Sequence, residues 1–198
     1  PIMGGYAGGP EGTAVVTVAT AIQNSIFCQP HYHMCFPIHM MRLCNTTREL
    51  LWVISMVGQS ISRNTHLLVT IAGELKSGPC TDMVLYEATA YSVAGTISGL
   101  SLMAVEVANN RYLDHCTGME ARMAAEVGHA IAKSNMKRNV ANELVKNILE
   151  KYENKIEHAP IGKSFRECYN TETITPSDEY LNIYNNVAME LRDLGLEI

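Results

Sequence analysis

Residues 67–72 read Leu-Leu-Val-Thr-Ile-Ala. A strand with one solvated face alternates apolar and polar side chains, and this run does not alternate. It predicts a strand in a sheet covered on both faces, the habit of parallel sheets built from βαβ crossovers. What lies on either side decides whether crossovers are present. Upstream, Thr46-x-x-Glu49 reads as a capping box, and Leu50, Leu51, Ile54, Val57 and Ile61 keep helical spacing to about Asn64. Downstream, Gly78-Pro79 predicts the start of a helix through Leu85, Ala88, Tyr91 and Val93 to about Ser98, followed by a strand over 100–107. The unit strand–helix–strand is thus written around the central run.

The pattern extends in both directions. Gly4, Gly5, Gly8 and Gly9 form a glycine loop, behind which Pro10-Glu11 reads as the first turn of a helix capped by Gly9. Residues 14–26 then predict a largely buried helix, although their β-branched content also allows a strand. Residues 31–39 read as a strand running into a loop, with Pro37 at its end because proline cannot donate to a central ladder. Thr117-x-x-Glu120 is a second capping box that opens a helix over 119–133. A more charged helix follows at about 140–158, ended by Pro160 and Gly162. A polar connector spans 170–179, and Pro176 begins a last helix through Tyr180, Ile183, Val187 and Leu191 to Gly195.

Short buried strands regularly separated by helices mean an α/β protein with a parallel sheet. About three strands are visible, plus whatever precedes Pro1. A closed (β/α)8 TIM barrel takes eight strands and typically about 250 residues. The chain is therefore either a small open sheet or the second part of a barrel plus C-terminal helices. It opens at Pro1 with neither an initiator Met nor a polar leader, as a chain does that starts inside a fold, and this favours the second reading.

Composition narrows the function. Of 198 residues, 47% are apolar and 18% charged, which excludes a disordered chain. The net charge is −5 and no basic stripe appears, so neither nucleic acid nor an anionic membrane is an expected partner. No apolar run reaches the length of a bilayer span and no secretory signal is present. The six cysteines are scattered without a CxxC pair, which fits reduced thiols in a cytoplasm better than a disulfide frame.

Four groups of residues are candidates for chemistry. The loop at Gly4, Gly5, Gly8 and Gly9 invites a phosphate-binding reading, but it lacks both the GxGxxG spacing and the Lys-Ser/Thr ending of a P-loop, and Glu11 would repel an anion. Its alternative is a βα turn that lets something bulky approach. His31, His33 and Cys35 share one face of a strand, with Cys28 in the preceding turn, and so form a candidate metal site, although C-x2-H-x-H-x-C is no standard zinc spacing. Glu120 and Arg122 sit at a helix N-terminus after a strand, the catalytic edge of parallel α/β proteins, where Glu120 has capping as its alternative role. Glu74, just past the central strand, falls on the same edge, whereas Thr65-His66 lies at the opposite end. The 11 methionines are spread over apolar positions and read as core.

Taken together, several blocks resemble the monomethylamine methyltransferase family. They are Pro1-Ile2-x-Gly4-Gly5-Tyr6-Ala7-Gly8-Gly9, Thr47-Arg48-Glu49, Gly78-Pro79-Cys80-Thr81 and Thr117-Gly118-Met119-Glu120-Ala121-Arg122-Met123. The tail adds Ala159-Pro160-x-Gly162-Lys163-x-Phe165-x-Glu167-Cys168-Tyr169, Thr175-Pro176-x-x-Glu179-Tyr180 and Asp193-Leu194-Gly195-Leu196. The resemblance runs the whole length and implies that residues 1–198 are the C-terminal portion of a single TIM-barrel domain.

It further implies a cytoplasmic homo-oligomeric enzyme of methanogenesis or one-carbon metabolism. The reaction would pass a methyl group from monomethylamine, or a related methylamine, to the Co(I) corrinoid of a cognate corrinoid protein. No cofactor is then expected on this chain, since the corrinoid rides on the partner and pyrrolysine, the residue implied to activate the amine, falls upstream of Pro1. In the family a Gln and a Tyr line the pyrrolysine cavity where this sequence has Ala72 and Glu74. His33, Pro37 and His39 keep the family's pattern, while Cys28 and Cys35 match no family ligand. The expected roles are polar contact in the pocket for Glu74, organisation of the rim for Glu120 and Arg122, a cavity-edge place for His33 beside Ala72, and a rim for the corrinoid partner at Gly4, Gly5, Gly8 and Gly9. The alternatives are a non-catalytic relative that binds a corrinoid protein, or a metal-dependent enzyme using His31, His33 and Cys35.

Overall fold

The computed structural model describes residues 1–198. In chain order the elements are β1 (Ile2–Met3), α1 (Pro10–Phe27), β2 (His33–Cys35), β3 (Ile38–His39), α2 (Arg48–Asn64), β4 (Val69–Glu74), α3 (Asp82–Ile97), β5 (Ser101–Glu106), α4 (Gly118–Lys133), α5 (Arg138–Tyr152), α6 (Phe165–Cys168), β6 (Tyr169–Asn170), β7 (Thr175–Pro176) and α7 (Asp178–Asp193). β1 pairs with β3, β2 with β4 and β4 with β5, all parallel. β2 and β3 are successive pieces of one run broken at Phe36-Pro37, where the missing N–H interrupts the ladder. The two sheets therefore form one arc in which each strand–helix unit adds its strand beside the previous one.

Where β2 leaves the sheet, Asn45 replaces it. Its backbone N–H donates to the Glu74 carbonyl (3.0 Å) and its Nδ2 to the Ala72 carbonyl (2.8 Å), while its Oδ1 accepts from the Glu74 N–H (2.9 Å). One fully buried side chain thus fills the ladder positions that the strand vacates.

One face of the arc packs on the helices. His33, Cys35, Val69 and Ile71 point there, and Gly73 lies under the Tyr91 ring of α3, where a Cβ would stand 2.6 Å from a ring carbon. Alternation sends Met34, Thr70, Ala72, Glu74, Ala104 and Glu106 to the opposite, inner face. β5 carries an extra residue at Met103 relative to β4.

Several expectations shift. The central strand runs 69–74, not 67–72, so Glu74 is its last residue rather than a loop residue; Leu68 is exposed. Thr47, not Thr46, caps α2 and accepts from the Leu50 N–H at 3.3 Å. α3 begins at Asp82 behind Thr81. Gly78-Pro79 instead meets the C-terminal segment: Gly78 N–H donates to the Pro160 carbonyl (2.9 Å) and Lys163 N–H to the Pro79 carbonyl (3.0 Å). A Cβ at Gly78 would overlap the Ile161 carbonyl, so only glycine allows this crossing. The helix at 140–158 is α5 followed by a 3-10 turn (Glu153–His158). The connector at 170–179 contains the small antiparallel pair β6–β7, and α7 starts at Asp178 behind Ser177. α1 is helical throughout but buries only Thr13, Ala14, Thr17 and Ala21 among its 18 residues, so it is not the largely buried helix its composition predicts.

The loops on the carboxyl edge converge on one buried acid. Glu87, fully inaccessible in α3, accepts from the Thr46 hydroxyl and from the Lys76 N–H (2.9 Å) on Oε1. On Oε2 it accepts from the Ser77 N–H (2.9 Å) and the Ser77 hydroxyl. Burial pushes its pKa up while these four donors hold it down, and an acceptor-only carboxylate matches four donors. Glu87→Gln would turn one oxygen into a donor facing donors. The expected cost is about 3 kcal/mol, read as a melting temperature lower by on the order of 10 °C in a thermal denaturation monitored by circular dichroism.

Candidate functional site

Both long central strands end on glutamate: 69–74 reads VTIAGE and 101–106 reads SLMAVE. Parallel register sets Ala72 opposite Ala104 and Glu74 opposite Glu106. The two carboxyls therefore stand side by side on the inner face at the carboxyl edge, above a lining of small and apolar side chains. Only 5% of Glu74 is exposed. Burial, then the hydrogen bond and charge of Glu106, push its pKa from the ordinary 4.5 up to about 8.

Glu106 is steered from the other side. After β5 the chain makes three consecutive left-handed residues, Ala108, Asn109 and Asn110 (φ 52, 53 and 53°). Asparagine tolerates this region and alanine does not, so the turn stores of the order of 1 kcal/mol or more. It is held by Ala108 N–H to the Ser77 carbonyl (2.9 Å) and Asn109 N–H to the Leu75 carbonyl (3.2 Å). It delivers Asn110 Nδ2 to Glu106 Oε2 at 3.1 Å. A cleft of about 450 Å³ opens beside Glu106, lined by Asn110, Tyr112, His115, Cys116 and Phe165 among others. Glu106, Asn45 and Asn110 were not among the residues the sequence singled out. The signal for Glu106 was present, since two adjacent strands close on the same residue type.

The other expected residues do not join this pair. Ala72 lies on the same face one step below Glu74, and its carbonyl is held by Asn45. His33 points to the helices instead, at the opposite end of the sheet. It lines a small cavity together with Thr17 and Asn24 of α1 and Val57 and Ile61 of α2, its Nδ1 without a partner. It is therefore not at a cavity edge on the carboxyl side; Met34 takes the inner face there.

Glu120 is fully buried under the C-terminal helices. The Thr117 hydroxyl donates to its Oε2 at 2.6 Å, and its Oε1 has no hydrogen-bond partner. Burial raises its pKa, opposed first by Thr117. Arg122 turns outward to Glu126 (2.7 Å) and stacks on Tyr184, 5.1 Å from the ring centre. Neither side chain lines an open rim: Glu120 and Arg122 tie α4 to α7.

Gly4, Gly5, Gly8 and Gly9 lie on the carboxyl edge, in the loop from β1 to α1. Three of the four amides point inward: Gly4 N–H donates to the Gly8 carbonyl (2.8 Å), Gly5 N–H to the Ile2 carbonyl (3.2 Å) and Gly8 N–H to the Gly5 carbonyl (3.0 Å). A phosphate cradle would need those donors free. The tip is open, with nothing within 4 Å of a Cβ on Gly8 and with Tyr6 fully exposed. No three His, Cys, Asp or Glu side chains come together as a metal site. His31 is exposed ahead of β2, while His33 and Cys35 are buried on the helix-packed face, so the three side chains do not converge. The metal reading of His31, His33 and Cys35 fails on this geometry.

Parallel βα units with two acids side by side at the strand C-termini define an α/β protein, a class in which the carboxyl edge of the sheet is the usual place for a site. Comparison with known proteins is specific. Residues 1–196 match the family model described as monomethylamine methyltransferase MtmB, and the chain belongs to that family. The monomethylamine methyltransferase of Methanosarcina mazei is 39% identical over 197 residues, and one from Methanosarcina acetivorans 38%. Each alignment covers 99% of this chain and 43% of the relative, so the chain spans less than half the length of the proteins it matches. The crystal structure of the Methanosarcina barkeri monomethylamine methyltransferase superposes with a TM-score of 0.96 at 38% identity, covering 100% of this chain and 43% of that one. A crystal structure of a hydroxylamine complex of MtmB matches equally well. No helix here is long and apolar enough to cross a membrane.

The pH dependence of the carboxyl pair follows by linkage. The folded chain holds the Glu74 proton more tightly than the unfolded chain, so stability falls as pH rises from about 4.5 to about 8. Glu74→Gln keeps a donor toward Glu106 and removes the titration. Melting temperatures of variant and parent should be close at pH 5, with the variant higher by on the order of 5 °C at pH 8; parallel curves across that range would refute the raised value.

Proposed function

We propose that residues 1–198 are the C-terminal half of a closed (β/α)8 barrel that transfers a methyl group from a methylated amine to the Co(I) corrinoid of a partner protein. The observation that carries the reading is the end-to-end match to the solved monomethylamine methyltransferase. The open edges agree with it: β1 pairs only with β3 and β5 only with β4, and further strands between these edges would close the cylinder. In this reading the whole chain is one domain of a cytoplasmic, homo-oligomeric enzyme of one-carbon metabolism, with pyrrolysine expected upstream of Pro1.

The carboxyl pair gives this chain its own part in the reaction. At neutral pH two adjacent acids that share one proton carry about one negative charge, the complement of a single alkylammonium. Holding the amine protonated matters chemically, because the nitrogen then departs as a neutral molecule rather than as an amide anion. The corrinoid supplies the nucleophile. Glu74 and Glu106 orient the C–N bond, and the small inner-face residues Ala72 and Ala104 leave room for the methyl group. The open loop tip at Gly8 and Gly9 fits the approach of a bulky planar group carried by a partner.

The test uses the full-length protein with reduced corrinoid protein and mono-, di- and trimethylamine. Transfer from at least one amine is expected, and Glu74→Gln combined with Glu106→Gln, which removes the charge of the pair, should raise KM at least tenfold, equivalent to about 1.4 kcal/mol of lost charge pairing. Gly9→Trp should slow transfer to the corrinoid protein while leaving the fold intact, since the position has ordinary φ and a Cβ there meets only the Glu11 carboxylate at 3.5 Å.

One observation favours a second reading: Ala72 and Glu74 stand where the resemblance implies the Gln and Tyr of the amine pocket. A non-catalytic relative would bind the corrinoid protein without turnover, and absence of transfer from every amine with binding retained would establish it. An in-frame amber codon upstream of Pro1 would support the pyrrolysine expectation, and a sense codon at that place would remove it.

A further inference from the structure

The two acids at the carboxyl edge are not equivalent. Glu74 is sealed from water and its carboxyl meets Glu106. None of the chain's ion pairs brings a Lys or Arg to either acid. Glu106 has a neutral donor, Asn110 Nδ2 on its Oε2 at 3.1 Å. A donor on one of two coupled acids favours the charge on that acid and the proton on the other.

The turn that delivers this donor is held from several sides. Besides the bonds from Ala108 to Ser77 and from Asn109 to Leu75, the Asn109 Nδ2 donates to the Leu43 carbonyl (2.5 Å). Leu75 N–H donates to the Glu106 carbonyl (2.8 Å), and Asn110 N–H to the Val107 carbonyl (2.9 Å). The end of β5 and its turn are thus fastened to the segments after β3 and β4. A left-handed alanine kept in place by its surroundings marks strain retained at a working site, and what this turn presents is one amide against one carboxylate.

We propose that Asn110 is a positioning residue that fixes the negative charge of the pair on Glu106 and leaves the shared proton on Glu74. Glu106 then accepts from Asn110 and from the Glu74 hydroxyl, and its remaining lone pairs face an ammonium group. A methylated amine is therefore anchored on the β5 side of the pocket. The amine part rests on the methyl-transfer reading; the placement of the charge does not. The other ionisable groups around the pair are Glu87 of α3, whose charge also favours the proton on Glu74, and Tyr112, Asp114, His115 and Cys116 in the cleft beside Glu106. All of them are unchanged in the variants below and cancel in a ratio.

Asn110→Gly in the full-length protein removes the donor while glycine keeps the left-handed backbone. Without the donor the pair gains its second proton more readily, so binding of an ammonium weakens most in acid. With monomethylamine as substrate, the ratio of variant to parent KM should be at least threefold larger at pH 5 than at pH 8. Asn110→Asp, which sets a like charge beside Glu106, should widen that difference. Equal ratios at the two pH values are what a merely structural role gives and overturn the proposal. A second measurement needs no amine. In melting curves at pH 8, Asn110→Gly should lower the melting temperature by about 2 °C more in the parent than in Glu106→Gln. Equal losses overturn the proposal even where methyl transfer is observed. The larger loss in the parent, without transfer from any amine, upholds the placement of the charge and defeats the methyl-transfer reading instead.

Discussion

A buried carboxylate with no cation beside it is among the costlier things a protein interior can hold, and the carboxyl edge of this molecule is organised around one. Glu87 reaches from α3 to the backbone after β4 and to the segment before α2. It is tolerated because four donors converge on it. Each donor belongs to a loop that would otherwise be free to move, so desolvating one acid fixes where several connections run. Tyr152 of α5 adds a further tie, its hydroxyl donating to the Thr46 carbonyl at 2.6 Å. The Glu74–Glu106 pair rests on this frame: Ser77 is anchored by Glu87 and in turn holds Ala108, whose left-handed turn presents Asn110 to Glu106.

The two acidic centres are unlike in a way that separates structure from chemistry. Glu87 has a donor for every lone pair and no solvent. Glu74 is almost as inaccessible, yet its side chain meets another acid. An arrangement that raises a proton affinity without satisfying it does little for stability, and such places in a fold are where function tends to sit. Glu120 shows the contrast from another side: it too is buried with its pKa raised, but it lies between α4 and α7, away from any cleft.

Much of the architecture could be read from the chain. The unbroken apolar run at 67–72 implied crossovers, and the helices at α2 and α4 followed from their caps and spacing. What escaped was set by partners distant in sequence. Thr46 looks like a cap because of Glu49, but Glu87, 41 positions on, claims its hydroxyl. His33 looked like a ligand because alternation placed it with His31 and Cys35, yet which face meets the helices depends on neighbours that periodicity does not name. Glu74 is legible as an acid at the end of the central run, whereas Glu106 is an ordinary strand-end glutamate until the register with the adjacent strand is known. α1 buries less than its composition implies, because apolar composition says how much surface seeks cover and not where that cover comes from.

The crossing of Gly78-Pro79 with Ile161-Gly162 makes the C-terminal helices something other than an appendage. Two peptide segments pass there with no side chain between them and exchange main-chain hydrogen bonds. One of the segments leads directly to Ser77 and so to the acid frame of the carboxyl edge. A tail riveted at that point cannot drift without dragging the wall of the pocket with it. Any pull on the tail would be a pull on the turn that carries the acid pair.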